Sequence, residues 1–411
     1  MTTFLRVLNE LDKALALRQA IAGGSESMFE VNPNAFRRIP GAPFAYWVKD
    51  SVHTCFEEFE PFESKRRSAL GGLKTLLDER FLRCWWEPEP KFTWRPIAKG
   101  GSFSPMYSDL HMVVNWEAEG LDISWYGYQR RPREGFGGGT RGVDAYFRPG
   151  ITWPRRTNGL SFRIMPAGCI FADKGPAAFV NDDSPKELLA LLSLLNSRAF
   201  GLLVSVQLAR VELAQSFEVG LIQQTPIPNL KAAQIEQLAA LGCRAWSLKR
   251  TLDTTTETSH AFLLPAGLRS RLGDYDPSAI EAELARIQAE IDSMAFDLYG
   301  FAEADSAAVQ AINVANAEGE MEGAESDDDS DDEESAAPLD QTAGLLSWAL
   351  GVAFGRFDWR LAIGELQSLP EPEPFDPLPT KSPGMLPDGA QPFHAHDGIL
   401  VDDPGHPHDL A

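Results

Sequence analysis

The sequence predicts an α+β protein: a β-rich module flanked by helices, one of them long and coiled-coil-like, together with a disordered acidic linker and tail. Three observations carry this. Between Phe81 and Val180, short apolar–polar alternations are broken by turn residues, the period-two signature of half-buried strands. Ile280, Leu284, Ile287, Ile291, Met294 and Leu298 recur at alternating spacings of four and three, the period of a helix with a single apolar seam. From Glu318 to Ala337 acids displace apolar residues, and Asp327 to Glu334 is interrupted only by Ser330. Such a composition cannot bury enough surface to offset the entropy of ordering.

Taken in order, residues 1–22 predict a helix, followed by an irregular segment through Asn32, Pro33, Pro40, Gly41 and Pro43. Shorter helices are expected over Trp47–Phe59 and Ser64–Leu77. Strands are expected at His111–Trp116, Leu121–Tyr126, Ser161–Met165 and Gly168–Phe171. Ser184-Pro185-Lys186-Glu187 has the pattern of a capping box with proline at the first helical position, so a helix starts there. Leu188–Ala209 is the most apolar stretch, but Asn196, Ser197 and Arg198 at its centre would be costly in a bilayer. It therefore reads as a buried helix pair, with no membrane partner. Pro226 and Pro228 end the segment after that pair, a further helix lies near Lys231–Arg250, and Asp276-Pro277 opens the heptad helix that Gly300 closes. Leu345–Leu361 returns to apolar residues, and Pro370–Pro383 is extended and proline-rich. The resulting divisions are an N-terminal helical and connecting region (1–79), a recognition module (80–230), a helical region (231–302), the acidic linker (303–340) and a partly disordered C-terminal segment (341–411).

The formal charge of −22 is concentrated at one end. Residues 301–411 hold 24 acids against 3 bases, leaving 35 acids and 34 bases in residues 1–300. The sign inverts locally: residues 91–175 carry 12 bases and 7 acids. Within that span, Gln129 to Ile164 holds eight arginines (Arg130, Arg131, Arg133, Arg141, Arg148, Arg155, Arg156 and Arg163) against two acids. Clustered guanidinium groups beside glycines and flat rings are what a nucleic-acid surface needs, so an acidic overall balance does not exclude DNA. The plainer reading is a solvated surface loop. The four cysteines, Cys55, Cys84, Cys169 and Cys243, are widely separated, which fits a reduced cytoplasm and excludes metal-finger spacing.

Several motifs weaken on inspection. Glu134-Gly135-Phe136-Gly137-Gly138-Gly139 is superficially like the loop with which methyltransferases hold S-adenosylmethionine, but Thr140 stands where a further glycine belongs. Gln129–Arg133 is polar where a hydrophobic strand should deliver such a loop, so a glycine loop between strands is expected. No Gly-Lys-Ser/Thr follows a glycine-rich loop, which excludes a P-loop. His394, His396, His406 and His408 lie among Asp397, Asp402, Asp403 and Asp409, but also among prolines and glycines that give a metal site no fixed surroundings. His53, His111 and His260 do not suggest a nucleophile and base. Trp85, Trp86, Trp94, Trp116, Trp125 and Trp153 read as core of the β-module; a carbohydrate platform is the alternative, against which the arginines argue.

An ordered series of phrases carries a resemblance. Gly72-Leu73-Lys74-Thr75, Arg80-Phe81-Leu82-Arg83 with Trp86-Glu87, Lys99-Gly100-Gly101, Val113-Val114-Asn115-Trp116 and Phe147-Arg148-Pro149-Gly150-Ile151-Thr152-Trp153 resemble the region after the catalytic domain in large adenine-specific DNA methyltransferases. These are the phage-defence enzymes of BREX (PglX) and DISARM systems and their fused restriction-modification relatives. Leu195-Asn196-Ser197 and Gln224-Thr225-Pro226-Ile227-Pro228 look like the close of their target-recognition domain. Ile291-Asp292 through Asp297-Leu298-Tyr299-Gly300 resembles the helix after it, and Leu346-Ser347-Trp348-Ala349 to Gly355-Arg356-Phe357 a C-terminal block. The resemblance covers most of the chain from about Asn32 onward.

The resemblance implies double-stranded DNA as ligand. It also implies an Asn/Asp-Pro-Pro-Tyr/Phe motif for a flipped adenine, yet the sequence contains no Pro-Pro dipeptide. The expectation is therefore the recognition half of a split or truncated enzyme, without a catalytic residue, cofactor or metal of its own. S-adenosylmethionine is expected on a catalytic partner, either a separate methyltransferase subunit or a missing N-terminal half. The candidate DNA contacts are Lys99, Arg130, Arg131, Arg133, Arg141, Arg155 and Arg156, with Gly137, Gly138 and Gly139 admitting close backbone approach. A non-functional truncated fragment and an unrelated carbohydrate- or protein-binding β-module are the alternatives.

Overall fold

The computed structural model describes residues 1–7, 12–22, 28–88, 93–134, 139–208, 216–272, 275–301 and 341–393, with backbone alone for 131–134 and Leu272. The acidic run Glu318–Ala337 and the histidines from His394 to His408 lie outside the described residues, as do Gly137 and Gly138 and the side chains of Arg131 and Arg133.

Two four-stranded sheets organise the β-rich module. The first has the order β10–β6–β7–β5, formed by Ile170–Phe171, Trp94–Ala98, Met112–Asn115 and Leu82–Cys84. Its pairings are antiparallel except β10 with β6. The second has the order β4–β11–β8–β9, formed by Arg67–Leu70, Ala177–Val180, Gly150–Thr152 and Arg163–Met165, and is antiparallel throughout. All of β8, β9, β10 and β11 is buried, so these strands lack the polar alternate positions of a one-sided sheet.

Three sequence expectations give way. The N-terminus is not one helix: Thr2–Leu5 (β1) pairs antiparallel with Met28–Val31 (β2), and only Lys13–Ala22 (α1) is helical. Ser64–Leu77 supplies strand β4 rather than a helix. Pairing of Arg67–Leu70 with Ala177–Val180 holds it extended, and Gly72 admits the close approach of Phe171, whose carbonyl oxygen would lie 1.9 Å from a Cβ there. Leu121–Tyr126 is no strand but the start of a helix, Leu121–Glu134 (α4). The apolar residues Leu121, Ile123 and Trp125 do alternate, but Ile123, Tyr126, Gly127 and Arg130 turn inward at helical spacing, and that pattern prevails.

The helical half follows the sequence closely. Ser184 Oγ accepts the Glu187 amide and Pro185 occupies the first turn of Pro185–Leu195 (α5). After Asn196 the chain bends by 66° into Arg198–Ser205 (α6). No single helix among the described residues is long and apolar enough to cross a membrane, and the apolar residues of the bent pair are buried among those of Ala232–Asp253 (α8) and Pro277–Tyr299 (α10). Asp276 caps α10 through the Ala279 amide at 3.2 Å, worth about 1 kcal/mol, and Gly300 ends it at φ +68°. The seam packs against other helices, as its period suggests. α10 packs on α8, α6 and α5, and its buried stripe moves off the heptad to Asp292, Ala295 and Tyr299, as a straight helix drifts against a seven-residue repeat.

One core joins these helices to the second sheet, running from Ile151, Trp153 and Phe162 to Leu238, Ile287 and Tyr299. It spans residues on both sides of position 230. A second core lies between the two sheets and α4, around Leu73, Phe81, Ile97, Ile123, Phe171 and Phe179. A third joins Phe262–Leu264 to the C-terminal helix Gln341–Ala353 (α11) and Phe357.

Candidate nucleic-acid interface

Beyond β10, the chain becomes the meeting point of five segments. Leu73 donates to the Phe171 carbonyl at 2.9 Å and Asp173 to the Leu73 carbonyl at 3.0 Å, which lays Lys74 beside Asp173. Lys74 and Gly139 exchange both backbone hydrogen bonds at 3.3 Å, bringing in the segment that leads to Arg141. Arg155 donates to the Lys174 carbonyl at 2.9 Å, and its own carbonyl accepts the Phe217 amide at 2.7 Å; Arg156 bridges Ser216. Ala172 donates to the Ala98 carbonyl at 2.9 Å, which places Lys99 and Gly100 alongside. Gly100 has φ +103°, and a Cβ there would lie 2.8 Å from the Lys174 carbonyl oxygen, so only glycine serves.

The cations of this cluster are Lys74, Lys99, Arg141, Arg155, Arg156 and Lys174, and three acids stand among them. Asp173 Oδ2 is shared by Arg155 Nη1 at 2.7 Å and Lys74 Nζ at 3.2 Å. Glu218 lies 3.8 Å from Arg155 Nε. Asp78 pairs with Lys99 and accepts the Thr75 hydroxyl. Among the described residues six cations thus stand with three carboxylates, and Asp173 and Asp78 hold Lys74, Arg155 and Lys99 in place at moderate exposure rather than burying them. Arg141, Arg156 and Lys174 are exposed.

The remaining arginines divide by role. Arg163 is buried and donates to the carbonyls of Gly100 and Ser102, so it props the Lys99–Gly101 turn from below. Arg148 grips Asp183 at 2.7 Å and the Val180 carbonyl at 2.7 Å. Arg130, Arg131 and Arg133 are not on a loop: all three lie on α4, and the Arg130 guanidinium sits 5.0 Å over the Tyr126 ring. The glycine-rich segment accordingly follows a helix, which corrects the expected loop between strands. α4 is tied to the cluster where Ser124 Oγ meets Thr140 Oγ1 at 3.5 Å.

Lys99, Gly139, Arg141, Arg155 and Arg156 are thus brought together as the sequence suggested, with α4 adjoining. Lys74 and Lys174 were missed. Each is a single lysine between apolar or acidic neighbours, and only strand pairing reveals its place. The tryptophans also separate: Trp153 and Trp116 are core, whereas Trp86 and Trp125 are 40% and 56% exposed.

A second polar group lies between the β-rich module and α8. Tyr107 donates to Asp253 at 3.0 Å and Ser259 donates to the same oxygen. His260 Nδ1 lies 3.0 Å from both oxygens of Asp109, under the stacked ring of Trp85. Burial pushes the Asp253 carboxyl and the Tyr107 phenol up. Ser259 and His260 face different carboxylates, an arrangement that holds elements together rather than activating a nucleophile. Among the described residues no group of three or more His, Cys, Asp or Glu side chains is arranged to hold a metal ion.

No family model matches the chain. Comparison with curated proteins identifies a class: adenine-specific methyltransferases, to which this chain is distantly related. It is 26% identical over 349 residues to the adenine-specific methyltransferase PglX of Lacticaseibacillus casei (strain Zhang), covering 80% of this chain and 28% of that protein. It is 27% identical over 219 residues to the adenine-specific methyltransferase BrxX of Escherichia coli O9:H4 (strain HS), covering 50% of this chain and 16% of that protein. The chain therefore spans under a third of the length of either relative. Among solved structures, the Type IIL restriction-modification enzyme MmeI in complex with DNA aligns with a TM-score of 0.39 and 13% identity, over 64% of this chain and 36% of that one.

Proposed function

We propose that this chain is the DNA sequence-recognition portion of an adenine-specific DNA methyltransferase of the phage-defence or restriction-modification kind, and that it does not transfer methyl groups itself. The observation that carries the reading is the convergence of six cations from five chain segments on one surface, in a chain related to adenine-specific methyltransferases. A duplex presents a line of phosphates, and cations held at fixed positions by Asp173 and Asp78 match such a line with little further ordering cost. Lys74, Lys99, Arg141, Arg155, Arg156 and Lys174 take phosphates, and the Gly100–Gly101 turn lets the DNA backbone come close.

In this reading no S-adenosylmethionine site is assigned to the segment that resembles its loop. Its first residue, Glu134, is the last of α4, and the C-terminal end of a helix leaves carbonyls rather than amides unpaired. Methyl transfer is accordingly assigned to a methyltransferase domain outside these 411 residues.

Fluorescence anisotropy of the purified chain with labelled duplex tests this. If the six cations each neutralise a phosphate, log K falls against log salt with a slope near about −5. Salt-independent binding, or methyl transfer from labelled S-adenosylmethionine by the chain alone, overturns the reading.

A further inference from the structure

The inner face of α4 is fully used. Ile123 is buried, the Tyr126 ring meets Phe81 edge-on at 5.5 Å, and Arg80 holds Asp122 at 2.9 Å. The helix is therefore fixed, and its outer face is left over with large apolar groups on it. Leu121, Trp125 and Tyr128, at positions i, i+4 and i+7, are 64%, 56% and 64% exposed. Single exposed apolar side chains are ordinary, but a contiguous stripe marks a binding surface.

Charge and shape select the occupant. The Trp125 and Tyr128 rings lie within 23° of parallel with centroids 6.0 Å apart, presenting flat aromatic surface of the kind on which bases stack. Asp122 is paired with Arg80, and Ser124 touches Thr140 beside Arg141, which joins the helix to the cationic cluster. The five steps along the chain from Glu134 to Gly139 span at most about 18 Å, or roughly five base steps at about 3.4 Å each. One short stretch of duplex can meet both the phosphate cluster and the α4 face.

We propose that the outer face of α4 is a base-stacking ridge, in which Trp125 and Tyr128 cover a base that has lost its partner from the duplex. The inference rests on the DNA-recognition reading and deepens it. Chemistry on adenine requires the base to leave the stack, and the thymine left behind exposes an unpaired ring face beside the enzyme. Two adjacent aromatic rings, anchored by cations to the flanking phosphates, supply a surface for it.

The test measures anisotropy with two duplexes of one sequence, fully paired or carrying an abasic site opposite a central thymine. The abasic site imitates the vacated adenine. The wild-type chain is expected to favour the abasic duplex by about ten-fold, as stacking on one base allows. Trp125→Ala/Tyr128→Ala is expected to bind both equally with an unchanged salt slope, and Trp125→Phe/Tyr128→Phe to restore the preference. Salt-dependent binding by the wild-type chain without preference, or a preference that survives the double alanine variant, overturns the ridge and leaves the DNA-recognition reading intact. Absence of any salt-dependent duplex binding removes the reading beneath.

Discussion

Replacing Lys74, Arg156 and Lys174 together by alanine should halve the salt dependence of DNA binding. Each neutralised phosphate contributes about 0.9 to the slope of log K against log salt, so six cations give about −5.4 and three about −2.7. From about 50 to about 200 mM salt, the wild-type chain should lose roughly 1,800-fold in affinity and the variant roughly 40-fold. The fold should be unaffected. Arg156 and Lys174 are exposed, and Asp173 keeps its 2.7 Å pair with Arg155 when Lys74 is gone. Partly exposed ion pairs of the Lys74 kind contribute about 1 kcal/mol or less. Anisotropy titrations at several salt concentrations, with a thermal scan beside them, read both quantities. An unchanged slope places the phosphate contacts elsewhere. A lost thermal transition makes these side chains structural.

Asp253 offers a pH test of the interface between the β-rich module and α8. Its carboxyl is raised by burial, so the stability it contributes is complete below the unfolded value of about 3.9 and is lost as pH rises through the higher folded value. Asp253→Asn removes the titration, and its Tm relative to wild type should climb as pH rises above about 4; a difference independent of pH refutes the argument. Deleting Glu318–Ala337 removes much of the −21 charge of residues 301–411. A tethered polyanion competes with DNA for a basic surface at high effective concentration, so the deletion should tighten duplex binding several-fold at low salt and less at high salt. Equal affinities at low ionic strength would leave the segment a spacer.

What could be read from the sequence was whatever local chemistry decides. Asp276, Pro277 and Gly300 bound α10 because caps act within one turn, and Ser184-Pro185 opens α5 for the same reason. α4 was misread because Leu121–Tyr126 satisfies two periods at once, and only the exposure of Leu121 and Trp125 beside a buried Ile123 chooses between them. The arginine run marked the segments that converge beyond β10 but not which of its side chains remain exposed there. Arg148 and Arg163 were indistinguishable by sequence from Arg141 and Arg156, yet Asp183 and the Gly100 carbonyl occupy the first two. Lys74 and Lys174, a hundred residues apart in number, become neighbours through Leu73, Asp173 and β10, and nothing local signals that.

The phrases that carry the family resemblance fall mainly on joints of this frame. Asn196 accepts the Phe162 amide at 2.9 Å and donates back to the Phe162 carbonyl at 2.8 Å, pinning the α5–α6 bend to the module. Tyr299 donates to the Pro226 carbonyl at 2.9 Å, joining the end of α10 to the Gln224–Pro228 phrase. Asp292, its carboxyl raised by burial, caps α6 through the Arg198 amide at 2.8 Å. Of the six clustered cations, only Lys74 and Lys99 lie within such phrases, and these two are tied to Asp173 and Asp78. Arg141, Arg156, Lys174 and the exposed rings of Trp125 and Tyr128 lie outside them. The phrases shared with methyltransferases therefore describe how the surface is held, while Arg141, Arg156, Lys174, Trp125 and Tyr128 are the groups that face solvent across it.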